Sequence, residues 1–262
     1  MPECSNNRSA TPLLISCRFT SLPYICAFMI KTHAAFFLLA VMLGMSSLTC
    51  RHRAEDPAST VLEETSTTET NPESGFETDA QLYESPDRVI WQKPDLVIQQ
   101  LGDVTGKTVA DLGAGTGYFS RRIAYKGARV IAIDIDPRAI QWMQEQKERF
   151  PVELQDRLII RQAEPDDPKL KPGEVDMVIL VNTYTFIQNR VAYFSNLRQA
   201  IRKGGTMLII DFKKMETPFG PKLEERVDAQ DVQRELKEAG YVILTSDEAS
   251  LEYQYIIKVQ RP

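Results

Sequence analysis

The amino-acid sequence predicts an α/β fold, with a mostly parallel sheet covered by helices on both faces. Apolar runs alternate with amphipathic segments from residue 108 to the end of the chain. The first apolar run, Thr108–Asp111, breaks directly into three alternating glycines. Alternating strand and helix signals are typical of parallel sheets, because each crossover helix packs back on the sheet. The 262 residues, of which 43% are hydrophobic, allow one sizeable domain with additional segments.

Local patterns place the individual elements. Short apolar runs predict strands, and apolar residues at helical spacing predict helices. One or two short helices are expected in the region 79–100, where Pro94 and Asp95 suit a first helical turn and Gly102 a stop. Two terminal strands are expected at Tyr241–Thr245 and Tyr253–Val259. The remaining predicted strands are Thr108–Asp111, Val130–Asp134, Leu158–Gln162, Val175–Val181 and Met207–Asp211, and the predicted helices are Phe119–Lys126, Ala139–Phe150, Ala192–Arg202 and Asp231–Ala239.

The glycines Gly113, Gly115 and Gly117 predict a ligand-binding turn between the first strand and a helix that begins near Tyr118. Glycine at every second position permits positive φ and leaves no Cβ between the backbone and a ligand. A nucleotide-like molecule could therefore lie against this turn.

The spacing of the glycines and a nearby acid distinguish between two cofactors. A dinucleotide fingerprint has the form Gly-x-Gly-x-x-Gly, whereas here Tyr118 occupies the place of its third glycine. Asp111 adds a carboxylate close to the turn, which suits a cationic or amino-bearing ligand better than a phosphate. Together these features favour S-adenosylmethionine over NAD.

With these residues, the sequence resembles the class I SAM-dependent methyltransferases, whose first motif has the form Asp-x-Gly-x-Gly-x-Gly. The resemblance continues through Val130–Asp136, Val175–Asn182 and Leu197–Phe212, and it covers the chain from Tyr83 to its C-terminus. It implies a Rossmann-like class I methyltransferase fold, with a mostly parallel seven-stranded sheet and an antiparallel hairpin at the C-terminal edge. It also implies S-adenosylmethionine as the cofactor.

A narrower resemblance concerns a group of bacterial methyltransferases whose substrates are poorly defined. It is carried by Trp91–Pro94, Asp166–Leu170, Asn182–Phe186 and Gly220-Pro221. A Tyr-His-His run is common in the fourth motif of that group, whereas Thr185 and Phe186 stand here in place of the histidines. The resemblance implies that the segment around Tyr83 and Trp91, and the loop with Phe219–Pro221 and Arg226, shape the acceptor side.

The residues that follow each strand are the candidate cofactor ligands, because ligands of parallel sheets bind beyond the carboxyl ends of the strands. Asp134 is assigned to the ribose hydroxyls, and Asp136 to the cap of the next helix. By resemblance, Glu164 is assigned to the adenine amino group. Asn182 is assigned either to the methionine moiety or to a structural turn. The complete predicted cofactor-binding set is Asp111, Gly113, Ala114, Gly115, Gly117, Asp134, Ile135, Glu164 and Asn182.

The predicted chemistry is methyl transfer, in which the protein mainly aligns the reactants and excludes water. Both histidines, His33 and His52, precede the expected domain, so the domain has no histidine base. If the reaction requires a base, Tyr184 is a candidate. The catalytic residues themselves stay unassigned. No metal-ligand spacing is present. The net charge of -5 argues against a nucleic-acid partner and leaves a protein or a small molecule as the acceptor, of which a small molecule is expected.

The N-terminal segment, residues 1–50, reads as an export signal. The apolar run Ala34–Leu48 has the length of a signal-peptide core, and Met29 is a possible true start. Cys50 follows as the expected lipidated residue of a cell-envelope lipoprotein. An uncleaved signal anchor, favoured by Arg51 and Arg53, remains the alternative, and with it a cytoplasmic domain.

The rest of the chain is expected to divide into an acidic, disordered linker at 51–78 and the methyltransferase domain at 79–262. Two other functions remain open at this point, a non-catalytic module that binds the cofactor or a nucleoside outside the cytoplasm and, with less support, an NAD-dependent oxidoreductase. The acceptor and the oligomeric state are not determined by the sequence.

Overall fold

The computed structural model describes Phe76, Ala80, Gln81 and residues 83–262. The signal segment, Cys50 and the linker expected at 51–78 lie outside the described residues, with the exception of Phe76. Within the described part, no helix combines the length and the apolar character needed to cross a bilayer.

One seven-stranded sheet forms the centre of the described part of the chain, in the order β3-β2-β1-β4-β5-β7-β6. The first five strands are parallel, whereas β7 runs antiparallel to β5 and β6 antiparallel to β7. This confirms the predicted fold class, including the antiparallel edge hairpin. The strands are β1 Thr108–Leu112, β2 Arg129–Asp134, β3 Leu158–Gln162, β4 Val175–Val181, β5 Ile201–Phe212, β6 Val242–Asp247 and β7 Gln254–Gln260.

Helices cover both faces of the sheet, because alternate strand residues point to opposite sides. On one face, Ala110 of β1 shares a buried cluster with Phe194 and Leu236, while Val109 on the other face packs with Ile123 and Met143. The helices are α1 Arg88–Trp91, α2 Pro94–Leu101, α3 Tyr118–Tyr125, α4 Pro137–Lys147, α5 Val152–Arg157, α6 Arg190–Ala200 and α7 Ala229–Glu238, with short 3-10 turns at Tyr184–Phe186 and Leu223–Glu225.

Two elements differ from the sequence prediction. Helix α5 was not predicted, because only Leu154 of its six residues is buried and so short a segment shows no apolar period. Strand β5 begins at Ile201 instead of Met207, directly after α6 ends. The pairing of β5 with β4 shifts register between Ile201 and Thr206, so that Gly204 and Gly205 lie in a bulge inside the strand.

The fold brings the candidate ligand residues together at the carboxyl ends of the parallel strands. Strands β1 and β4 are neighbours although they are distant in sequence, and the strand order reverses direction at this pair. Crevices outside the carboxyl ends of strands at such a point are the usual ligand sites of open α/β sheets. The turn after β1 and the turn after β4 therefore face each other at the expected site.

Candidate functional site

The glycine turn after β1 has the backbone geometry predicted from its sequence. Gly113, Gly115 and Gly117 have φ values of 71°, 56° and 77°, in the left-handed region that glycine adopts without strain. A Cβ on Gly113 would overlap the side chain of Thr183, which follows β4. The absence of a side chain at Gly113 thus allows the two loops of the site to approach each other.

Asp134 closes β2 and faces the same turn. One carboxylate oxygen accepts a hydrogen bond from the Gly115 N–H at 2.8 Å, and the other accepts from the Asp136 N–H at 3.0 Å. Burial raises the pKa of the Asp134 carboxyl above its ordinary value. Asp136 caps α4 by accepting from the Arg138 N–H, which confirms its predicted role.

A cavity of about 390 Å³ lies between the glycine turn and the loops after β2 and β4. Its volume falls within the range of about 300–1,000 Å³ that is common for small-molecule sites. Glu164 lines an adjoining cavity together with Asp134 and Ile135, so the two cavities share a wall. The predicted residues that line the larger cavity are Gly113, Ala114, Gly115, Asp134, Ile135 and Asn182.

Two predicted cofactor residues lie outside these cavity walls. Asp111 is buried beneath the turn, with 3% of its surface exposed, and accepts a hydrogen bond from the Ser120 hydroxyl at 2.6 Å. Burial raises the pKa of the Asp111 carboxyl to about 6. Gly117 forms the N-cap of α3, and a Cβ there would contact Met143 at 3.3 Å. Their assignment as direct cofactor ligands stays a prediction.

The N-terminal arm of the described region lies over the glycine turn. Tyr83 lines the cavity of about 390 Å³, and its ring lies 3.6 Å from the position that a Cβ on Gly115 would occupy. Glu84 fastens the arm by accepting from the Thr116 hydroxyl at 2.8 Å and from the Arg121 guanidinium at 3.0 Å. The arm thus lies over the glycine turn, which agrees with the resemblance, where the corresponding segment lies over the cofactor pocket and helps to shape the acceptor side.

A chain of buried hydrogen bonds connects this arm to the loop after β4. Arg88 donates through Nε to the amide oxygen of Gln92, and Gln92 donates to the amide oxygen of Gln254 at 3.1 Å. Gln254 in turn donates to the side-chain oxygen of Asn182. Both glutamines are fully buried. We call this set the amide relay. Its role was not predicted, because the burial of Gln92 and Gln254 is visible only in the structure.

A further cavity, of about 230 Å³, adjoins the cavity of about 390 Å³ on another side, and most of its wall residues are aromatic. Asn182, Phe186, Tyr83 and Arg88 line both cavities. We call the cavity of about 230 Å³ the aromatic cavity. Its remaining wall residues are Trp91, Phe212, Phe219, Gly220 and Pro221. The resemblance correctly implied that Trp91 and the segment Phe219–Pro221 lie on one side of the site.

The loop that carries Phe219 is organised by a buried arginine. The guanidinium of Arg226 donates to the carbonyl oxygens of Pro221 at 2.8 Å and Met215 at 2.6 Å, and to the Thr217 hydroxyl at 2.6 Å. Arg226 is 6% exposed, so these contacts replace the water it would otherwise bind. The arginine thus shapes the loop from within.

Tyr184 is not the candidate base that the sequence suggested, and this prediction was wrong. Its side chain is fully buried, stacks on Phe194 at 5.0 Å and donates a hydrogen bond to Glu235 at 2.7 Å. Burial and the Glu235 carboxylate raise the pKa of the Tyr184 hydroxyl well above its ordinary value. The 3-10 turn that begins at Tyr184 directs this side chain to the core and Phe186 to the cavities.

Comparison with known proteins identifies the family model and the relatives that this chain resembles. Residues 110–209 match the family model described as a methyltransferase domain. A demethylmenaquinone methyltransferase from Tropheryma whipplei is 27% identical over 117 residues, which cover 44% of this chain and 46% of that protein. A magnesium-protoporphyrin O-methyltransferase from Rhodobacter capsulatus is 34% identical over 83 residues, covering 32% of this chain and 35% of that protein. The chain thus spans less than half the length of these curated relatives.

Among solved structures, a SAM-dependent methyltransferase from Aquifex aeolicus superposes with a TM-score of 0.65 at 21% identity, covering 72% of this chain and 98% of that chain. This similarity shows that the chain has the fold of the SAM-dependent methyltransferases. The methyltransferase-domain match lies within this fold and agrees with the class of enzyme and the cofactor that the sequence predicted.

Gly113→Ala should lower the free energy of unfolding by about 2–4 kcal/mol, because it adds backbone strain and an overlap with Thr183. Adding Thr183→Ala should restore about 1–2 kcal/mol of this loss. Gly106→Ala is the control, since Gly106 has a similar positive φ of 68° but open space around it. Urea unfolding of the parent and the three variants gives the values, and equal losses for Gly113→Ala and Gly106→Ala would contradict the close contact.

The buried Asp111 carboxyl should make the protein less stable as the pH rises from about 4 to about 6. Its pKa is about 6 in the folded state, against an ordinary value of 3.8, so the folded state binds the proton more tightly across this interval. Asp111→Asn should therefore give a shallower dependence of unfolding free energy on pH. Asp211, whose pKa burial also raises to about 6, should leave part of the slope in that variant. Parallel pH profiles for variant and parent would exclude this explanation.

Proposed function

We propose that the described domain transfers a methyl group from S-adenosylmethionine to a small-molecule acceptor. The observation that carries this proposal is the connection between two cavities of different character. The first has a glycine turn and a carboxylate, and the second is aromatic, while Asn182 and Phe186 line both. A cofactor in the first cavity would present its methyl group towards an acceptor in the second.

The residues of the first cavity suit the proposed cofactor. The glycine turn lets a nucleoside approach the backbone closely, and Ile135 and Phe186 supply apolar surface for a base. Asp134 already accepts two backbone hydrogen bonds, but a carboxylate has about four lone-pair sites. Two ribose hydroxyls can therefore still donate to it.

The protein's contribution to such a reaction is alignment and exclusion of water. When bound, S-adenosylmethionine supplies a methyl group already activated by its sulfonium centre. The arm at Tyr83 covers the cofactor side, and the loop fixed by Arg226 closes the far side of the aromatic cavity. Holding two reactants in line at contact distance removes much of the entropic barrier of their encounter.

Two observations support a small-molecule acceptor. The names of the two relatives, a demethylmenaquinone methyltransferase and a magnesium-protoporphyrin O-methyltransferase, refer to small molecules as the acceptors. The aromatic cavity has a volume of about 230 Å³, which suits a small molecule, and the chain carries a net charge of -5. A protein with a net negative charge is poorly suited to bind a nucleic acid, because like charges repel.

Asp134→Ala should weaken binding of S-adenosylhomocysteine by about 1–3 kcal/mol, because the ribose loses its charged hydrogen-bond acceptor. Isothermal titration of the full chain measures this change directly. Asp95→Ala is the matched control, since Asp95 is an exposed carboxylate in the first turn of α2 and lines neither cavity. Equal affinities for the Asp134 variant and the parent would contradict the proposed site, and cofactor binding without turnover of any acceptor would favour a non-catalytic module.

We also propose that the chain is attached to a membrane through a lipidated Cys50, with the domain outside the cytoplasm. The support lies in the sequence, where the apolar run Ala34–Leu48 ends just before a cysteine and a polar segment. Cys50→Ala should move the protein from the membrane fraction of expressing cells to the soluble fraction and abolish incorporation of labelled palmitate. Cys26→Ala serves as the control. A Cys50 variant that stays in the membrane fraction would instead support the uncleaved signal anchor.

A further inference from the structure

We propose that the aromatic cavity binds a planar aromatic acceptor whose nucleophile is an ionised oxygen, and that the Asn182 amide donates a hydrogen bond to that oxygen. This inference rests on the proposed function, since it identifies the class of acceptor for the same site. It follows from the shape of the cavity walls, from the order of hydrogen bonds in the amide relay and from the charges that line the cavity.

The walls favour a flat, apolar molecule. The ring centroids of Trp91 and Phe219 are 4.7 Å apart, and Phe212 lies 6.1 Å from both. Aromatic rings prefer offset or edge-to-face contacts with other rings at such separations. Tyr83 and Phe186 also line this cavity of about 230 Å³, so five aromatic side chains face it, and they favour an acceptor with one or two fused rings.

The amide relay determines which end of the Asn182 amide is available to a ligand. A guanidinium can only donate, so Gln92 must present its oxygen to Arg88 and its nitrogen to Gln254. The same reasoning requires Gln254 to accept from Gln92 and to donate to Asn182. The oxygen of Asn182 is thereby engaged, and its nitrogen remains as the donor towards the cavities. Arg88 thus determines, through the two glutamines, that the amide nitrogen of Asn182 and not its oxygen is available to a ligand.

The charges of the cavity walls indicate the protonation state of the acceptor. Among the described residues that line the aromatic cavity, there is no carboxylate and no imidazole to accept a proton. The one charged side chain in this lining is Arg88. Its buried guanidinium already donates to Gln92 and to the Tyr83 carbonyl, so it favours an anion through its electric field and not by direct contact. An acceptor that arrives already ionised requires no protein base, and both Arg88 and the Asn182 amide favour its anionic form.

The resulting reaction is balanced without a proton transfer. The oxyanion forms a new O–C bond to the methyl carbon, and the S–C bond breaks with its electron pair remaining on sulfur. An anion and a sulfonium cation give a neutral ether and a neutral thioether. No oxidant, reductant or further reactant takes part.

The test uses tryptophan fluorescence, because the chain has two tryptophans and Trp91 is a wall of the aromatic cavity. Trp142 packs against Phe76 instead, so all samples carry Trp142→Phe and Trp91 alone reports. The probe is 2-hydroxy-1,4-naphthoquinone, whose enol is ionised at neutral pH. Its 2-methoxy ether is the neutral planar control, and 2-decalol is the non-planar control. We expect saturable quenching by the anion at a concentration at least about tenfold below that required for the ether. 2-Decalol does not quench by itself, so its binding is read by competition, and we expect no recovery of fluorescence when it is added to the complex with the anion.

Two variants test the two parts of the proposal separately. Gln254→Glu presents a carboxylate that cannot donate to Asn182, so the amide should turn and present its oxygen to the cavity. The preference for the anion over the ether should then fall by about tenfold or reverse. Gln260→Glu is the matched control on the same strand, where the amide donates to the Gly204 carbonyl at 3.0 Å, and it should retain the preference. Phe219→Leu, in the loop, should weaken both planar probes alike.

The ratio of the two affinities is the decisive quantity, because a general loss of folded protein would change both affinities together. Equal affinities of the parent for anion and ether, or an unchanged ratio in Gln254→Glu, would overturn the proposed polarity. Equal binding of 2-decalol would overturn the planar acceptor. Titration with S-adenosylhomocysteine on the same samples tests the cofactor site independently, so a failure of the acceptor proposal can be told apart from a failure of methyl transfer.

Discussion

The site depends on the close approach of two loops at the reversal of strand order between β1 and β4. The turn that contains Gly113 and the turn that contains Thr183 come so close that no side chain fits at the glycine. This contact places the two cavities on either side of Asn182 and Phe186. A parallel sheet produces such an arrangement because the carboxyl ends of all its parallel strands lie at one edge.

Around this contact the protein buries charged and polar groups that stability alone would not favour. Asp111 and Asp211 are almost fully buried, and burial raises the pKa of each carboxyl to about 6. Arg88 is 6% exposed, and burial lowers the pKa of its guanidinium to about 10, which still leaves it positively charged at neutral pH. Buried ionisable groups next to a cavity are a common mark of functional sites, where binding requires fixed charges and dipoles. Here Asp111 lies beneath the glycine turn, and Arg88 begins the amide relay.

These polar groups are connected, and the connection explains how distant segments form one site. Hydrogen bonds from Arg88 through two glutamines to Asn182 link α1, β7 and the loop after β4. The aromatic cavity brings together nearly the same segments, with Trp91 and Phe212 packing beside the loop that Arg226 organises. Apolar walls and ordered hydrogen-bond donors together define a site that orients its ligand as well as binding it.

The sequence alone determined the features that depend on neighbouring residues. The glycine turn, the helix cap at Asp136 and the alternation of strands with helices were predictable, because local geometry and apolar periodicity control them. Only the tertiary structure decided which side chains face the cavities. Tyr184 was a reasonable candidate base by position, yet it is buried against Phe194, and Gln92 meets Gln254 across 162 positions of the chain. Such contacts depend on how the sheet and its loops pack, and no local pattern in the sequence specifies them.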